Sequence, residues 1–228
     1  MRINCCSFSY DPTIGKHKVV CAKEAYGEIL HWSIFTLGID KSWREIHCYV
    51  RFYPMMSNYV HIDGVTYSVN LYEDNNIAAF NVGEENVREE NIRMISFPPG
   101  VELNLIISLS PTIVDIKGEV SLLEHKNFRN DGNIIVYVLT NGTIWKKKQI
   151  TELPSKFYNI KEKFRLYQFT STPKGEIVLV PSFKISSSCW DYSFLFFYVT
   201  GKKEWTQFEL CGVCQRKWGI WHNIVETM

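Results

Sequence analysis

Apolar and polar residues alternate with a period of two along most of this 228-residue chain, a pattern typical of β-strands. The segment 59–92 shows it most clearly. Two alternating stretches, 59–62 and 65–69, flank Asp63-Gly64, and an apolar stretch at 77–80 follows a polar loop. Asp-Gly between alternating stretches predicts a tight hairpin turn, because such turns need positive φ at both central residues. The segment is therefore predicted to form a four-stranded antiparallel sheet.

The same pattern recurs along the chain. The predicted turn glycines Gly64, Gly118 and Gly175 are 54 and 57 residues apart, and each opens a comparable hairpin. Repeats of about 40–50 residues built from short strands are typical of propeller blades. We therefore predict an all-β, propeller-like or kelch-like array of four or more four-stranded antiparallel blades in one domain, 1–228. The blade-like units are 1–46, 59–92, 113–150 and 167–210, and an aromatic segment, 216–228, supplies a closing strand.

The start of the chain also enters this prediction. Few residues precede the first predicted strand, so we expect the array to be incomplete at its N-terminus. Residues 1–6 lack the long apolar stretch of a secretory leader. We therefore expect an intracellular protein with reduced thiols.

Composition narrows the classes of partner. The formal net charge is +1, which lacks the basic excess expected of a general nucleic-acid binder. The compact basic run, Lys146-Lys147-Lys148, is interpreted as an exposed edge strand whose lysines discourage aggregation. No apolar stretch reaches the roughly 20 residues that a membrane-spanning helix needs. We therefore predict neither a nucleic-acid nor a membrane partner.

The sequence contains no recognisable catalytic motif and no complete metal-binding motif. The chain has no glycine-rich phosphate loop, nucleophile elbow or zinc-protease motif. Cys211 and Cys214 have the spacing of half a zinc site, but no second pair accompanies them and only His222 lies near. We predict a protein that is not an enzyme and that binds neither metal nor cofactor.

Three tryptophans occur at equivalent places in the first, third and fourth units, after the third strand: Trp43, Trp145 and Trp205. Recurrence of a large apolar side chain at one position of a repeat favours packing between blades. We therefore predict that all three are mostly buried. The alternative is a stacking platform for a ligand.

Partner recognition is predicted in the loops that join the second and third strands. Packing between blades constrains the strands, so the connecting loops are free to vary. The loops are 71–76, 125–131 and 184–192, and we expect them to project from one face. Their aromatic side chains, suited to anchoring a protein partner, are Tyr72, Phe128, Trp190 and Tyr192.

Several phrases of the chain together resemble the plant F-box-associated domain of type 3. They are FSYDP and KHKVV at 8–12 and 16–20, FTLG and SWR at 35–38 and 42–44, HIDGVTY at 61–67, AFNVG at 79–83 and HNIVET at 222–227. They occur in the order of that family and span nearly the whole chain.

The resemblance implies a β-propeller-like module that recruits a target protein. Members of the family usually carry an N-terminal F-box, a helical segment that docks on the adaptor of a cullin-type ubiquitin ligase. No room for an F-box precedes Phe8, so we expect no adaptor binding by this chain and a target protein as its partner. Two alternatives stay open. One is a kelch-like propeller that binds a small molecule or glycan, and the other is a truncated product without ligase coupling.

Overall fold

The computed structural model of the protein describes residues 2–25, 29–46, 54–70, 75–81, 92–104, 110–152, 166–186, 189–191, 194–199 and 202–209. Within these ranges the chain forms strands and one four-residue helical turn. The strands make four antiparallel sheets, each built on four strands in chain order. The structure therefore confirms the predicted all-β array of four-stranded antiparallel sheets.

The first two sheets lie in one compact unit, Met1–Glu102. The first sheet consists of β1 (Arg2–Asp11), β2 (Lys16–Ala25), β3 (Ile29–Thr36) and β4 (Arg44–Ile46), in that order. The second sheet consists of β5 (Pro54–Ile62), β6 (Val65–Asn70), β7 (Asn76–Asn81) and β8 (Ile92–Ser96), again in chain order.

The other two sheets lie in a second unit, Leu103–Met228. The third sheet consists of β9 (Thr112–Ile116), β10 (Glu119–Glu124), β11 (Asn133–Thr140) and β12 (Ile144–Glu152), with the helical turn α1 (Phe128–Asp131) between β10 and β11. The fourth sheet consists of β13 (Leu166–Ser171), β14 (Ile177–Ser186), β16 (Phe194–Val199) and β17 (Glu204–Glu209), and a short strand, β15 (Cys189–Asp191), pairs with β14.

The first hairpin of the second and of the third sheet turns where the sequence predicts. Asp63 and Gly64 have φ of 49° and 81°, and Lys117 and Gly118 have φ of 58° and 80°. Positive φ at two successive residues gives the turn the twist of the flanking strands. The carboxylate of Asp115 also accepts a 2.7 Å hydrogen bond from the amide of Gly118. Local sequence therefore determines both turns.

Hydrophobic packing joins the sheets pairwise within each unit. In the first unit, one face of the first sheet packs against one face of the second through Val20, Trp32, Ile34, Ile46, Ala78, Phe80 and Ile92. In the second unit, the third and fourth sheets share a larger cluster with many aromatic residues: Val114, Ile116, Leu123, Phe128, Ile134, Val136, Val138, Tyr167, Phe169, Ile177, Leu179, Phe196, Tyr198 and Trp205. A four-stranded sheet cannot bury its own faces, and this pairing supplies the cover.

One boundary of the predicted units differs from the observed strands. The sequence pattern ended the second unit at Ile92, whereas the fourth strand of its sheet begins there and runs to Ser96. Ile92 and Ile95 are buried and Arg93 is exposed, so apolar burial selects this stretch as the strand. The predicted closing strand, 216–228, lies outside the described residues.

The three repeated tryptophans have different environments. Trp205 is buried, with 7% of its surface exposed, as predicted. Trp145 is only half-buried, and Trp43 is 47% exposed. The prediction of a common core role is therefore wrong for Trp43 and overstated for Trp145. An equivalent place in the repeat gives a side chain its direction, but the neighbouring sheet decides whether anything covers it.

The first hairpin also corrects the prediction of reduced thiols. Cys6 and Cys21 form a disulfide, and their Cα atoms are 4.1 Å apart. The two residues are direct partners in the register of β1 and β2. Sequence spacing gave no sign of this pairing, because it depends on the strand register. The lysine run, in contrast, lies exposed on edge strand β12 as predicted.

Candidate functional site

The predicted recognition loops do connect the second and third strands of their sheets, but they do not present the predicted anchors as a group. Phe128 is 1% exposed and lies in the core of the second unit. Trp190 lies on β15, opposite Lys184 of β14. Tyr72 and Tyr192 are outside the described residues. The interpretation of Phe128 as a partner-binding side chain is therefore wrong.

Loop geometry explains why Phe128 is buried. Its loop forms the helical turn α1, which Gly132 closes in the left-handed conformation. The turn directs the Phe128 ring toward β13, where it lies 5.0 Å from the ring of Tyr167 and 5.4 Å from the ring of Phe169. The sequence pattern marked this segment as a recognition loop, but its one large aromatic side chain packs inward.

A different set of aromatic side chains is exposed, on the first sheet. We call Phe8, Tyr10, His17, Phe35 and Trp43 the aromatic face. Phe8 is 53% exposed, Tyr10 45% and Trp43 47%, and His17 is also exposed. Exposed large aromatic residues grouped on one surface are uncommon on soluble proteins and mark interaction sites. The aromatic face is therefore the candidate functional site.

Strand register brings these side chains onto one side of the sheet. Phe8 pairs with Val19, which pairs with Phe35, and Tyr10 pairs with His17. Directly opposed residues of an antiparallel pair project from the same face. The strands of the hairpin and the third strand thus contribute adjacent rings.

The rings contact one another as well as solvent. Phe8 stacks on His17 with ring centroids 4.9 Å apart, and Tyr10 lies 5.2 Å from the same imidazole. Phe35 and Trp43 form a second pair at 5.5 Å. Such contacts restrict side-chain rotation, so the surface is partly organised before any partner arrives.

The opposite side of β1 is polar and buried, which reverses the usual arrangement. Ser7, Ser9 and Asp11 alternate with Phe8 and Tyr10, and all three are buried. The alternation in the sequence signals a strand with two unlike faces. A reading in which apolar side chains face inward would nevertheless assign the faces the wrong way round.

A buried ion pair stabilises this polar side. Nζ of Lys18 lies 2.7 Å from Oδ2 of Asp11, and both side chains are almost fully buried. The amide of Thr13 donates a 2.9 Å hydrogen bond to Oδ1 of Asp11. Burial acts to raise the pKa of Asp11, but the Lys18 ammonium and the Thr13 amide outweigh it and keep that pKa below its ordinary value. Both carboxylate oxygens are therefore held at the start of the first turn.

A hydrogen-bond chain fixes the backbone beneath Tyr10. Nε2 of His61 lies 2.8 Å from the carbonyl oxygen of Tyr10, and Nδ1 lies 3.3 Å from the hydroxyl of Thr66. That hydroxyl lies 3.2 Å from the hydroxyl of Ser9. Nε2 also lies 3.2 Å from the amide nitrogen of Tyr10, so one ring nitrogen of a neutral imidazole meets both the N–H and the C=O of that residue. Burial lowers the pKa of His61 and favours this neutral form.

The loop that carries Trp43 is held by a second polar group. Asp40 accepts a 2.6 Å hydrogen bond from the amide of Thr36 and lies 3.1 Å from Nε of Arg44. Arg44 also donates to the hydroxyl of Thr36 at 3.3 Å. The pKa of Asp40 is lowered, chiefly because the Thr36 amide donates to it. These contacts close the loop from both ends and hold Trp43 beside Phe35.

The aromatic face is suited to binding an apolar surface. Among the strand residues whose side chains are described, the charged residue that the register places on this face is Glu45, beside Ser33. Apolar rings with little charge gain binding free energy by excluding water and gain little from charge pairing.

In the described part of the chain, no group of three metal-ligating side chains is present, and no helix is long and apolar enough to cross a membrane.

Comparison with known proteins identifies the family of this chain. The family model described as the F-box associated beta propeller domain matches residues 2–225. The chain therefore belongs to the F-box associated β-propeller domain family. Four successive four-stranded antiparallel sheets agree with the β-propeller fold in that family's description, and the resemblance noted from the sequence is confirmed.

Two individual proteins are also similar to the chain. A protein of Arabidopsis thaliana named as a candidate F-box protein is 24% identical over 187 residues. The aligned part is 78% of this chain and 47% of that protein, so the chain matches about half the length of this curated relative. The structure of a Penicillium chrysogenum α-L-arabinanase complexed with arabinobiose is 11% identical, with a TM-score of 0.47 over 92% of this chain and 71% of the other.

Proposed function

We propose that the protein is a non-enzymatic receptor that binds a target protein and recruits it for ubiquitination by a cullin-type ligase. Membership of the F-box associated family supports a substrate-recognition role. The named identity of the Arabidopsis relative supports the link to F-box proteins. Such a ligase acts inside the cell, so the proposal includes an intracellular location.

The aromatic face is the observation that carries the binding proposal. Three exposed rings lie on paired strands and a closed loop, so a partner would meet a largely rigid surface. Aromatic residues are enriched among the few interface residues that supply most binding free energy. The partner is therefore a protein segment with aliphatic or aromatic side chains and little charge.

Coupling to the ligase is assigned to a different part of the machinery. We propose that an F-box segment binds the adaptor and that residues 1–228 bind the target alone. Purified residues 1–228 should then fail to bind the adaptor, whereas a fusion with an F-box should bind it. Direct adaptor binding by residues 1–228 would contradict this division of roles.

Paired charge substitutions test the binding surface. The variant Phe8→Glu/Trp43→Glu places two carboxylates on the aromatic face, where both native rings are exposed, so the fold should tolerate them. Ile144→Glu is the matched control, since Ile144 is 54% exposed on the third sheet. The targets are the proteins captured by wild type and control but not by the double variant, as identified by mass spectrometry.

Reconstitution then separates recognition from ligase function. A captured protein, purified on its own, should bind wild type and lose at least about tenfold in affinity with the double variant, about 1.4 kcal/mol. An F-box fusion in an assembled ligase should ubiquitinate that protein. Equal capture by wild type and double variant would remove the aromatic face as the site. Binding without ubiquitination would leave a receptor that serves another purpose.

A further inference from the structure

The disulfide of the first hairpin is placed in an unequal environment. Cys6 is exposed, whereas Cys21 is 3% exposed. Both lie on the side of the sheet that carries the aromatic face, because Cys6 alternates with Phe8 along β1. One cysteine of the bond is therefore open to solvent and the other is covered.

Strand register keeps the two cysteines together whether or not they are bonded. Their Cα separation of 4.1 Å is the short spacing of a non-hydrogen-bonded antiparallel pair. Backbone pairing extends on both sides of them, from Arg2–Glu24 to Asp11–Lys16, with one register shift between Ile3 and Cys5. Opening the bond thus leaves the thiols opposite each other, in position to form it again.

We propose that Cys6 and Cys21 form a reversible thiol–disulfide exchange site for dithiols, with Cys6 as the exchanging and Cys21 as the resolving cysteine. A thiolate of the dithiol attacks Sγ of Cys6, and the electrons of the broken bond leave on Sγ of Cys21, which takes up a proton. The second thiol of the dithiol then attacks the mixed disulfide and releases Cys6. Both protein sulfurs are reduced, and the dithiol is oxidised to its disulfide.

The reverse reaction follows the same path. The Cys6 thiolate attacks one sulfur of an external disulfide, such as oxidised glutathione, forms a mixed disulfide with it and releases the other sulfur as a thiolate. Cys21 then attacks Sγ of Cys6 and expels the remaining thiol. Accessibility to the external reagent decides which cysteine exchanges, and burial reserves Cys21 for the internal step. The site is independent of the proposed receptor function, since it needs no target protein.

Alkylation kinetics on the full chain test the assignment. The oxidised protein is treated with dithiothreitol without denaturant, and new thiols are labelled with a maleimide and located by peptide fragmentation. Cys6 and Cys21 should both become reactive, and Cys6 should be labelled at least about tenfold faster than Cys21. A bond that opens only in denaturant, or equal labelling rates, would overturn the proposal.

Serine variants supply the second measurement. In Cys21→Ser, oxidised glutathione should add one glutathione to Cys6, and the adduct should persist because nothing resolves it. In wild type the same treatment should end in the internal disulfide. Cys5→Ser should behave as wild type, which excludes the neighbouring cysteine. A persistent adduct on wild type, or loss of the internal disulfide in Cys5→Ser, would contradict the assigned roles.

Discussion

Two aromatic clusters of similar composition differ in burial: one is covered by a neighbouring sheet and the other is exposed to solvent. In the second unit, Phe128, Tyr167 and Phe169 pack between the third and fourth sheets and are almost fully buried. On the first sheet, Phe8 and Tyr10 both contact the ring of His17 but remain about half exposed. Both clusters include residues of the first strand of a sheet, β13 in one case and β1 in the other, so the repeat itself does not separate them.

The difference lies in what covers each cluster. β13 has Tyr167 and Phe169 on the side that meets the third sheet, so its apolar side is the inner one. β1 presents serines and Asp11 to the second sheet, and its rings point the other way. A strand that uses its polar side for packing leaves its apolar side exposed to solvent. The same residue types therefore stabilise the second unit and form the exposed aromatic face, the proposed binding surface, on the first.

Truncation of one ring in each cluster should give the largest difference in the free energy of unfolding between the two clusters. Phe128→Ala removes a fully buried ring and leaves a cavity, so we expect the free energy of unfolding to fall by about 4 kcal/mol. Phe8→Ala removes an exposed ring and should cost less than about 1 kcal/mol. Guanidinium unfolding of both variants measures the two changes. Equal losses would mean that the aromatic face is part of the core.

Removal of a charge tests whether the polar side of β1 is truly a packed interior. Lys18→Met leaves the buried Asp11 carboxylate without its cation, and we expect a loss of about 3 kcal/mol. Lys148→Met is the matched control, because its ion pair with Glu119 is half exposed on both sides. That substitution should change stability by less than about 0.5 kcal/mol.

A double variant shows whether Lys18→Met loses stability because the attraction is lost or because a buried carboxylate is left without a cation. Asp11→Asn/Lys18→Met removes both charges, so it should recover much of the stability that Lys18→Met loses. If the double variant is less stable than Lys18→Met, the ion pair is not the reason for the effect.

The pH dependence of stability tests the buried cluster, because this cluster contains a histidine. His125 lies against the rings of Tyr167 and Phe169, and its Nε2 is 3.0 Å from the hydroxyl of Thr112. Burial lowers the pKa of His125 to about 3, from an ordinary value of 6.5. Between these two values the unfolded chain binds a proton that the folded chain excludes, so stability falls as pH decreases from 6.5.

The expected loss from this histidine is about 2 kcal/mol between pH 7 and pH 5. His125→Gln keeps a hydrogen-bonding side chain but does not titrate, so its stability should depend less on pH over that interval. Unfolding measured at pH 7, 6 and 5 for both proteins gives the slopes. Parallel slopes would show that His125 is not the group that titrates.

The predictability of the fold and of the site differs for a physical reason. The four sheets follow from period-two alternation and from turn residues such as Asp63-Gly64, which act within a few residues of themselves. The aromatic face depends on which side of β1 meets the second sheet, and that depends on contacts such as the 3.2 Å pair between Ser9 and Thr66, 57 residues apart. No local pattern contains that information. Phe128, Trp43 and the Cys6–Cys21 pair were misjudged on the same account.

The sequence by itself determined the strands, the positive-φ turns, the repeat and the family, because each rests on neighbours in the chain or on ordered phrases along it. Only the tertiary structure decided which of three equivalent tryptophans is buried, which side of β1 is the inner one and which cysteines meet. Burial is a property of a pair of surfaces, and one of the two surfaces always comes from a distant part of the chain.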